Sequence, residues 1–359
     1  MNLSDSIKNL ENLYRSNYHK NNEEKSIHII NEIFNEIKLE NDPNFNNFLN
    51  ELRDNFIIYF INIIKIKKNS YISYKNNDIL KDKYFVSKID KTLVNQINNI
   101  LKNEIIKLFD KEKKGQVSRA DLTCSGGIKI RKVINLLNSF FNKNGHLKEI
   151  SKYLGIKSNI SHLALELSSP KSNWWKHKKI NTEPKTLGVH LDKEFTCLKS
   201  IIYLTNVNFK NGPFSIYPKI YDDLKLNLFQ DIVGRIILET ANNIKNESLR
   251  KYLNIKEKNQ PFLSENLQKI YSKLPKIISF NSHFGWELES GSILEKEIVD
   301  SKIEICGAPG TIITFDGSRL LHSGGLVKGD RRLALQIIYS RETNVISKYL
   351  KKIKNKFIQ

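Results

Sequence analysis

Five short runs rich in β-branched and aromatic residues lie between residues 162 and 339, and Gly, Pro, Asn and Asp separate them. Runs of this length and composition are typical of β-strands, and several of them with such punctuation indicate a β-sandwich or jelly roll. Helical patterns return between the third and fourth runs, over 224–244 and 263–274. The predicted strands cover 162–167, 198–204, 214–217, 310–315 and 333–339.

The chain before these runs has a different pattern. Apolar residues such as Ile27, Ile30, Phe34 and Ile37 recur at helical spacing, with Asn, Glu and Lys between them. A second helical pattern covers 130–154 and ends at Gly155. We therefore predict an α+β chain with an N-terminal helical region over 1–115. A jelly-roll domain would follow over 116–359, with a helical insertion between strands at about 219–300.

The formal net charge of +20 raises the question of a nucleic-acid partner. However, the basic residues are mostly Lys and spread along the whole chain among many Asn and Ile, as an AT-rich coding sequence would produce. We find no clear nucleic-acid-binding motif. The lysine excess slightly favours a small-molecule substrate with phosphate or carboxylate groups, and hence an anionic one.

The cysteines and the apolar runs indicate a cytoplasmic protein. Cys124, Cys197 and Cys306 form no CxxC pair, which favours a reducing compartment and disfavours a disulfide framework. The N-terminus lacks the pattern of a signal peptide. The most apolar run, 56–66, is too short for a transmembrane segment.

His190 and Asp192 are two residues apart, so in extended backbone their side chains point to the same side. His322 lies 130 residues beyond Asp192, beside another predicted strand, and in a jelly roll strands that are distant in sequence become neighbours. Two imidazoles and one carboxylate are ligands suited to Fe(II), and they leave three positions of an octahedron open. We predict that these three residues bind iron and form the catalytic centre.

Arg331 and Arg332 begin the last predicted strand, ten residues beyond His322. A guanidinium group binds a carboxylate through two parallel hydrogen bonds, which suits it to a carboxylate-bearing co-substrate. Adjacent residues of a strand face opposite sides, so only one of the two arginines points inward. The sequence favours Arg332, with Arg331 as the alternative.

With these residues in this order, the chain resembles the phytanoyl-CoA dioxygenase-like family of Fe(II)- and 2-oxoglutarate-dependent oxygenases. The resemblance covers roughly 130–341 and leaves the insertion and the N-terminal helices largely outside. The chain departs from the family pattern in two respects. The gap between Asp192 and His322 is long, and Gly324 stands where some members carry Ser. The matching segments are 188–192, 202–207, 211–218, 307–316, 321–324 and 332–335.

The resemblance implies a double-stranded β-helix, which is a cupin-like jelly roll, with His190, Asp192 and His322 on iron. It also implies that Arg332 holds the distal carboxylate of 2-oxoglutarate, and that O₂ is consumed. Related halogenases replace the carboxylate ligand by a small residue, so Asp192 favours hydroxylation. The implied reaction is oxidation of a small molecule in specialised metabolism or glycan biosynthesis, accompanied by conversion of 2-oxoglutarate to succinate and CO₂.

Three tryptophans are further candidates for substrate contacts. Trp174 and Trp175 belong to an aromatic and basic cluster before His190, and Trp286 lies in the insertion. Packing of a loop on the barrel explains these residues equally well. Two alternatives to a small-molecule hydroxylase stay open. One is a non-catalytic cupin-like binding protein, and the other is an oxygenase that acts on a nucleic acid or a protein.

Overall fold

The structure is a computed structural model of the whole chain. The part of it described below comprises residues 2–16, 21–38, 42–68, 83–114, 119–125, 127–154, 157–170, 189–192, 198–218, 227–240, 246–254, 274–279, 291, 293–325 and 327–341.

Helices dominate the first part of the described chain and the insertion, and strands dominate the rest. The helices are α1 (Leu3–Arg15), α2 (Asn21–Ile37), α3 (Pro43–Lys68), α4 (Lys91–Ile100), α5 (Lys102–Lys113), α6 (Leu122–Ser125), α7 (Ile128–Lys143), α8 (His146–Leu154), α9 (Leu228–Thr240), α10 (Glu247–Tyr252), α11 (Lys276–Ser279) and α12 (Ile293–Asp300). The strands are β1 (Tyr84–Lys88), β2 (Arg119–Asp121), β3 (Ser158–Ser168), β4 (Leu198–Tyr203), β5 (Phe214–Tyr217), β6 (Ile303–Ile305), β7 (Thr311–Asp316), β8 (Leu321–Gly324) and β9 (Arg332–Arg341).

The strands form two antiparallel sheets. The larger sheet has the order β1-β7-β4-β9-β3-β2, and the smaller has the order β6-β5-β8. Neighbouring strands are mostly distant in sequence: β4 pairs with both β7 and β9, and β5 pairs with β8 through Ile216 and His322. This topology brings residues from both ends of the 162–339 region next to one another.

Alternation along the strands of the larger sheet separates two cores. One face carries residues such as Leu198, Ile202 and Leu335, which pack against α4, α5, α7 and α8. The other face carries residues such as Ile201 and Tyr203, which share a cluster with residues of the smaller sheet. We call this second face the inner face. It is the face on which the site described below is built.

The N-terminal helices and the insertion share a third core. Buried residues of α1, α2 and α3 form one cluster with residues of α9, α10 and α11. Phe56 of α3 contacts Phe229 of α9 with a centroid distance of 4.9 Å, and Phe34 of α2 lies 5.5 Å from the same ring. We call this cluster of helices the helical unit. Its two parts are separated in sequence by about half of the chain, so their association is a tertiary effect.

All five predicted strands are present, as β3, β4, β5, β7 and β9. The prediction of helix throughout the first 115 residues was wrong at β1, whose residues pair with β7. Its Tyr, Phe and Val are good strand formers, but a run of five residues is too short for a period to be recognised. The predicted helix over 130–154 is two helices, separated at Asn144 and Gly145, where Gly145 has a φ of 70°. The predicted helix over 263–274 lies almost wholly outside the described residues.

The described helices include none with both the length and the apolar character needed to cross a membrane.

A buried histidine lies between α8 and the outer face of the larger sheet. His146 stacks on Phe141 at a centroid distance of 4.4 Å, and its Nε2 lies 3.2 Å from Thr314 Oγ1 and 3.4 Å from the Tyr339 hydroxyl. Ser200 Oγ completes this network, 2.6 Å from Thr314 Oγ1 and 2.8 Å from the Tyr339 oxygen. Burial lowers the pKa of His146 from 6.5 to about 4.

We expect His146 to make the protein less stable in acid. The unfolded chain takes up a proton at this residue below about pH 6.5, whereas the folded chain does so only near pH 4, so stability is lost as pH falls through this window. Each pKa unit corresponds to about 1.4 kcal/mol, and the loss attributable to His146 is therefore about 3 kcal/mol at pH 4. Urea unfolding at several pH values should show that the free energy of unfolding declines less steeply with falling pH in His146→Gln than in the wild type. An unchanged decline would contradict the assignment.

Candidate metal centre

The two histidines of the predicted centre are held by reciprocal backbone hydrogen bonds. The amide of His190 donates to the carbonyl of His322 at 2.9 Å, and the amide of His322 donates to the carbonyl of His190 at 3.0 Å. His190 thus forms an antiparallel bridge beside β8, at the edge of the smaller sheet. Val189 and Leu191 are both buried. The amide of Asp192 donates to the carbonyl of Gly317 at 2.7 Å, and this hydrogen bond holds the backbone at Asp192.

The side chains of His190, Asp192 and His322 converge on one point. Each offers a nitrogen or oxygen atom, and these three atoms all lie within 4.8 Å of one another. The imidazole centroids of the two histidines are 4.3 Å apart, and His322 Nε2 lies 3.9 Å from Asp192 Oδ2. Within the described residues, this is the one group of three or more His, Cys, Asp or Glu with such a spacing.

The surroundings of His322 determine which of its ring nitrogens is available. Nδ1 lies 2.9 Å from the carbonyl oxygen of Leu320, which can only accept a hydrogen bond, so Nδ1 carries the proton. Nε2 then presents a lone pair towards Asp192. Metal-binding histidines typically donate their second ring N–H to a carbonyl or carboxylate in this way. The rings of Phe315 and Phe214 pack around the imidazole at 4.8 Å and 5.6 Å between centroids.

The two carboxylate oxygens of Asp192 have different environments. Lys199 Nζ donates to Oδ1 at 2.5 Å. Oδ2 is buried and has no hydrogen-bond partner among the described residues. A buried acceptor without a partner costs roughly 1–3 kcal/mol, and a cation between Oδ2 and the two histidines would remove this cost. The unsatisfied oxygen and the two imidazoles therefore fit a divalent metal ion with mixed nitrogen and oxygen ligands.

The ionisation states of these groups also suit metal binding. Burial raises the pKa of Asp192, but His322, Lys199 and His190 together lower it more, and the result is a pKa of about 2. Burial lowers the pKa of His322 to about 3, and His190 contributes to the decrease. At neutral pH the carboxyl group is therefore an anion and the His322 imidazole is neutral. These are the forms that bind a metal.

Gly317 makes room for the Asp192 carboxylate. A Cβ atom at position 317 would lie 1.7 Å from Asp192 Oδ2, which is far inside van der Waals contact. The turn that contains Gly317 is held by Asp316, whose Oδ1 accepts a hydrogen bond from the amide of Ser318 at 2.9 Å. The hydroxyl of Tyr153, on α8, donates to the other oxygen of Asp316. The absence of a side chain at 317 is thus a requirement of the centre.

The two candidate arginines lie in different environments. Arg332 is buried on the inner face, where Nη1 donates to the carbonyl of Gly212 and Nη2 donates to Ser168 Oγ at 3.1 Å. Arg331 is half-exposed on the opposite side, where Nε donates to Glu112 Oε2 at 2.7 Å and the guanidinium lies 5.3 Å from the centroid of the Phe109 ring. Of the two, only Arg332 is buried on the inner face.

Three residues that contact the centre were not predicted. Lys199 had a detectable signal, because it alternates with Ile201 and Tyr203 in a strand and therefore shares their inward face. Arg235 also had one, since it is a charged residue in the otherwise apolar run 232–238. Gly317 had none, because its importance depends on a side chain 125 positions earlier in the sequence. Trp174, Trp175 and Trp286 lie outside the described residues, and their predicted substrate contacts stay predictions.

Comparisons with known proteins give structural matches at low similarity. No protein-family model matches the sequence, and neither does any curated protein. The non-heme alpha ketoglutarate dependent epimerase SnoN from nogalamycin biosynthesis matches with 10% identity and a TM-score of 0.38, over 74% of this chain and 81% of that chain. AviO1 from Streptomyces viridochromogenes Tue57 matches with 12% identity and a TM-score of 0.39, over 74% and 92%.

EctD from S. alaskensis, crystallised with 2-oxoglutarate and 5-hydroxyectoine, matches with 12% identity and a TM-score of 0.35, over 76% of this chain and 77% of that chain. SnoN has also been crystallised with Fe³⁺ and alpha ketoglutarate. Because all of these TM-scores are below 0.5, we infer the chemistry of the site from its own residues.

Proposed function

We propose that this chain is an Fe(II)- and 2-oxoglutarate-dependent oxygenase of the phytanoyl-CoA dioxygenase-like family. The observation that carries the proposal is the convergence of His190, Asp192 and His322 around the unsatisfied Asp192 Oδ2. The arrangement of the strands supports a double-stranded β-helix, because two antiparallel sheets enclose a common apolar cluster and sequence-distant strands are neighbours.

In this proposal His190, Asp192 and His322 hold the iron. When bound, the iron would couple the reduction of O₂ to oxidation of 2-oxoglutarate and of the substrate. The chain's own residues prepare the site: Leu320 holds His322 in the tautomer with a free Nε2, and Lys199 occupies Oδ1 of Asp192 so that Oδ2 faces the histidines. The carboxylate ligand favours hydroxylation over halogenation, because it occupies the position that a halide would need.

Arg332 is proposed to hold the distal carboxylate of 2-oxoglutarate. Its burial between the sheets strengthens an ion pair with an anionic ligand, because the surroundings screen charge less than water does. Hydrogen bonds from two different guanidinium nitrogens, to Gly212 and Ser168, hold the group in one orientation. A fixed planar fork is well suited to a carboxylate.

The proposed substrate is a small molecule, and the lysine excess makes an anionic one the first choice for a screen. The proposed organisation keeps a jelly-roll catalytic domain over 116–359 with an insertion at about 219–300, but it adds β1, α4 and α5 of the 1–115 region to that domain and limits the separate N-terminal helices to α1, α2 and α3. The proposed location is the cytoplasm. A non-catalytic cupin-like protein would lack the charge-transfer band described below. An oxygenase that acts on a nucleic acid or a protein would show the band but release no succinate with small-molecule candidates.

The proposal is tested by loading the anaerobic protein with Fe(II) and 2-oxoglutarate and recording the weak visible charge-transfer band of the complex. The growth of this band as 2-oxoglutarate is added yields the dissociation constant of 2-oxoglutarate. Succinate release in the presence of candidate substrates then identifies the substrate. A folded, iron-replete protein without the band would contradict the oxygenase function and favour a cupin-like binding protein.

We expect Arg332→Gln to raise the dissociation constant of 2-oxoglutarate about 10- to 100-fold. A hydrogen bond to a charged group contributes about 1.5–3 kcal/mol, and each 1.4 kcal/mol is a factor of ten in affinity. Arg331→Gln is the matched control, because it removes a neighbouring arginine that faces away, and its constant should equal that of the wild type. Equal effects of the two substitutions would show that Arg332 does not hold the co-substrate.

A further inference from the structure

One arginine of the helical unit contacts the backbone of the candidate metal centre. Arg235 lies on α9, inside the insertion, and has an exposed fraction of only 1%. Its Nε donates to Oδ1 of Asp231 at 2.9 Å, one helical turn earlier, and Asp231 is also buried. Among the described residues, Arg235 is the largest side chain that is fully buried.

The remaining guanidinium nitrogens of Arg235 reach out of the helical unit. Nη1 donates to the carbonyl oxygen of Asp192 at 2.5 Å, and Nη2 donates to the carbonyl oxygen of Ser318 at 2.8 Å. One of these carbonyls belongs to a proposed iron ligand. The other belongs to the residue after Gly317, whose missing side chain makes space for the same carboxylate. One planar group therefore ties together the two segments that determine where Asp192 lies.

Stability alone is a poor explanation for this arrangement. Burying an arginine and an aspartate costs several kcal/mol per ion, and well-packed apolar residues usually provide equal or better stability. A guanidinium can, however, donate several hydrogen bonds in one plane with fixed angles, which Lys and apolar residues cannot do. The arrangement is explained if the relative position of the Asp192 and Ser318 segments matters.

We propose that Arg235, oriented by Asp231, is a positioning residue for the metal centre and that the helical unit acts through it to hold Asp192 in place. The proposal rests on the proposed iron site and extends it to the insertion and the N-terminal helices, which lie largely outside the resemblance to the family. Towards the centre, Arg235 donates to backbone carbonyls and to no side-chain donor atom of the proposed ligands within the described contacts. Its effect is on metal affinity and on the geometry around the ion.

The test is a titration of the apo full-length chain with Co(II), a spectroscopic substitute for Fe(II), followed by its visible absorption in the absence of 2-oxoglutarate. We expect Arg235→Lys to raise the dissociation constant of Co(II) by 10- to 100-fold, the range found when groups that orient metal ligands are removed, and to change the Co(II) absorption bands. Ile232→Ala is the matched control, because Ile232 is a buried residue of the same helix within the apolar cluster. It should lower stability yet leave the Co(II) affinity within twofold of the wild type.

The possible outcomes separate this proposal from the proposed function. A folded Arg235→Lys protein with unchanged affinity and unchanged bands would overturn the positioning role, whereas wild-type protein without Co(II) affinity would overturn the metal site itself. If Arg235→Lys does not fold, Asp231→Asn replaces it. That variant keeps the arginine but loses the charge that orients it, and it should show a smaller change of the same sign. An unchanged Asp231→Asn protein would again overturn the proposal.

Discussion

Replacing His322 by Gln is expected to abolish high-affinity metal binding, and with it all turnover of 2-oxoglutarate. A glutamine fills much of the same volume, but its amide is a far weaker ligand for Fe(II) than the lone pair of an imidazole. The remaining pair, His190 and Asp192, offers only two donors. Iron content after anaerobic loading and desalting, measured together with succinate formation, provides the check.

His162→Gln is the control for this substitution. His162 is a half-buried histidine of β3 whose Nδ1 lies 2.9 Å from Thr123 Oγ1, and it does not belong to the candidate centre. The His162→Gln protein should retain one iron per chain. Iron retention by the His322 variant at the wild-type level would mean that the ion binds elsewhere, and the proposed ligand set would have to be abandoned.

Gly317→Ala is expected to have nearly as large an effect, although it changes no ligand. The added methyl group would lie 1.7 Å from Asp192 Oδ2, so either the carboxylate or the turn must move. If the carboxylate moves, its oxygen no longer lies within 4.8 Å of the ring nitrogens of the two histidines. We expect the Co(II) dissociation constant to rise at least tenfold, and up to about 100-fold if the carboxylate is displaced entirely.

Gly329→Ala is the matched control for Gly317→Ala. A Cβ at 329 would meet the Cβ of Lys210 at 3.1 Å, which a small adjustment of a surface segment relieves. Both substitutions replace a turn glycine and therefore make a similar change to the unfolded chain. Circular dichroism establishes that both variants are folded. If the two bind Co(II) equally well, the close approach of Gly317 to Asp192 has no role in the metal site.

Five of the nine described strands were predictable from sequence because each of these five is a local pattern. Runs such as 333–339 are rich in β-formers and bounded by turn residues, so the information lies within a few neighbouring positions. β1 was missed because five residues between helices carry too little pattern. Its strand conformation results from pairing with β7, which lies more than 220 residues away in the sequence.

The residue types and order of the candidate centre were also visible in sequence, since His190 and Asp192 share a face in any extended segment. The sequence did not decide whether Arg331 or Arg332 points inward. Both fit the pattern, and the direction of each side chain depends on the register of β9 with β3 and β4. A shift by one residue would have exchanged their places.

By itself, the sequence indicated five of the nine described strands, the residue types of the candidate metal centre and the presence of helices in the insertion, because these follow from local composition and from side-chain chemistry. Only the tertiary structure decided that Lys199 occupies one oxygen of Asp192, that Gly317 makes room for the other, and that Arg235 of the helical unit holds the backbone on both sides. The sequence marks Lys199 as facing inward and Arg235 as a charged residue in an apolar run, but the atom that each of them contacts depends on how the segments pack. These contacts form because burial of the apolar cores brings those segments together and leaves the polar groups between them in need of partners.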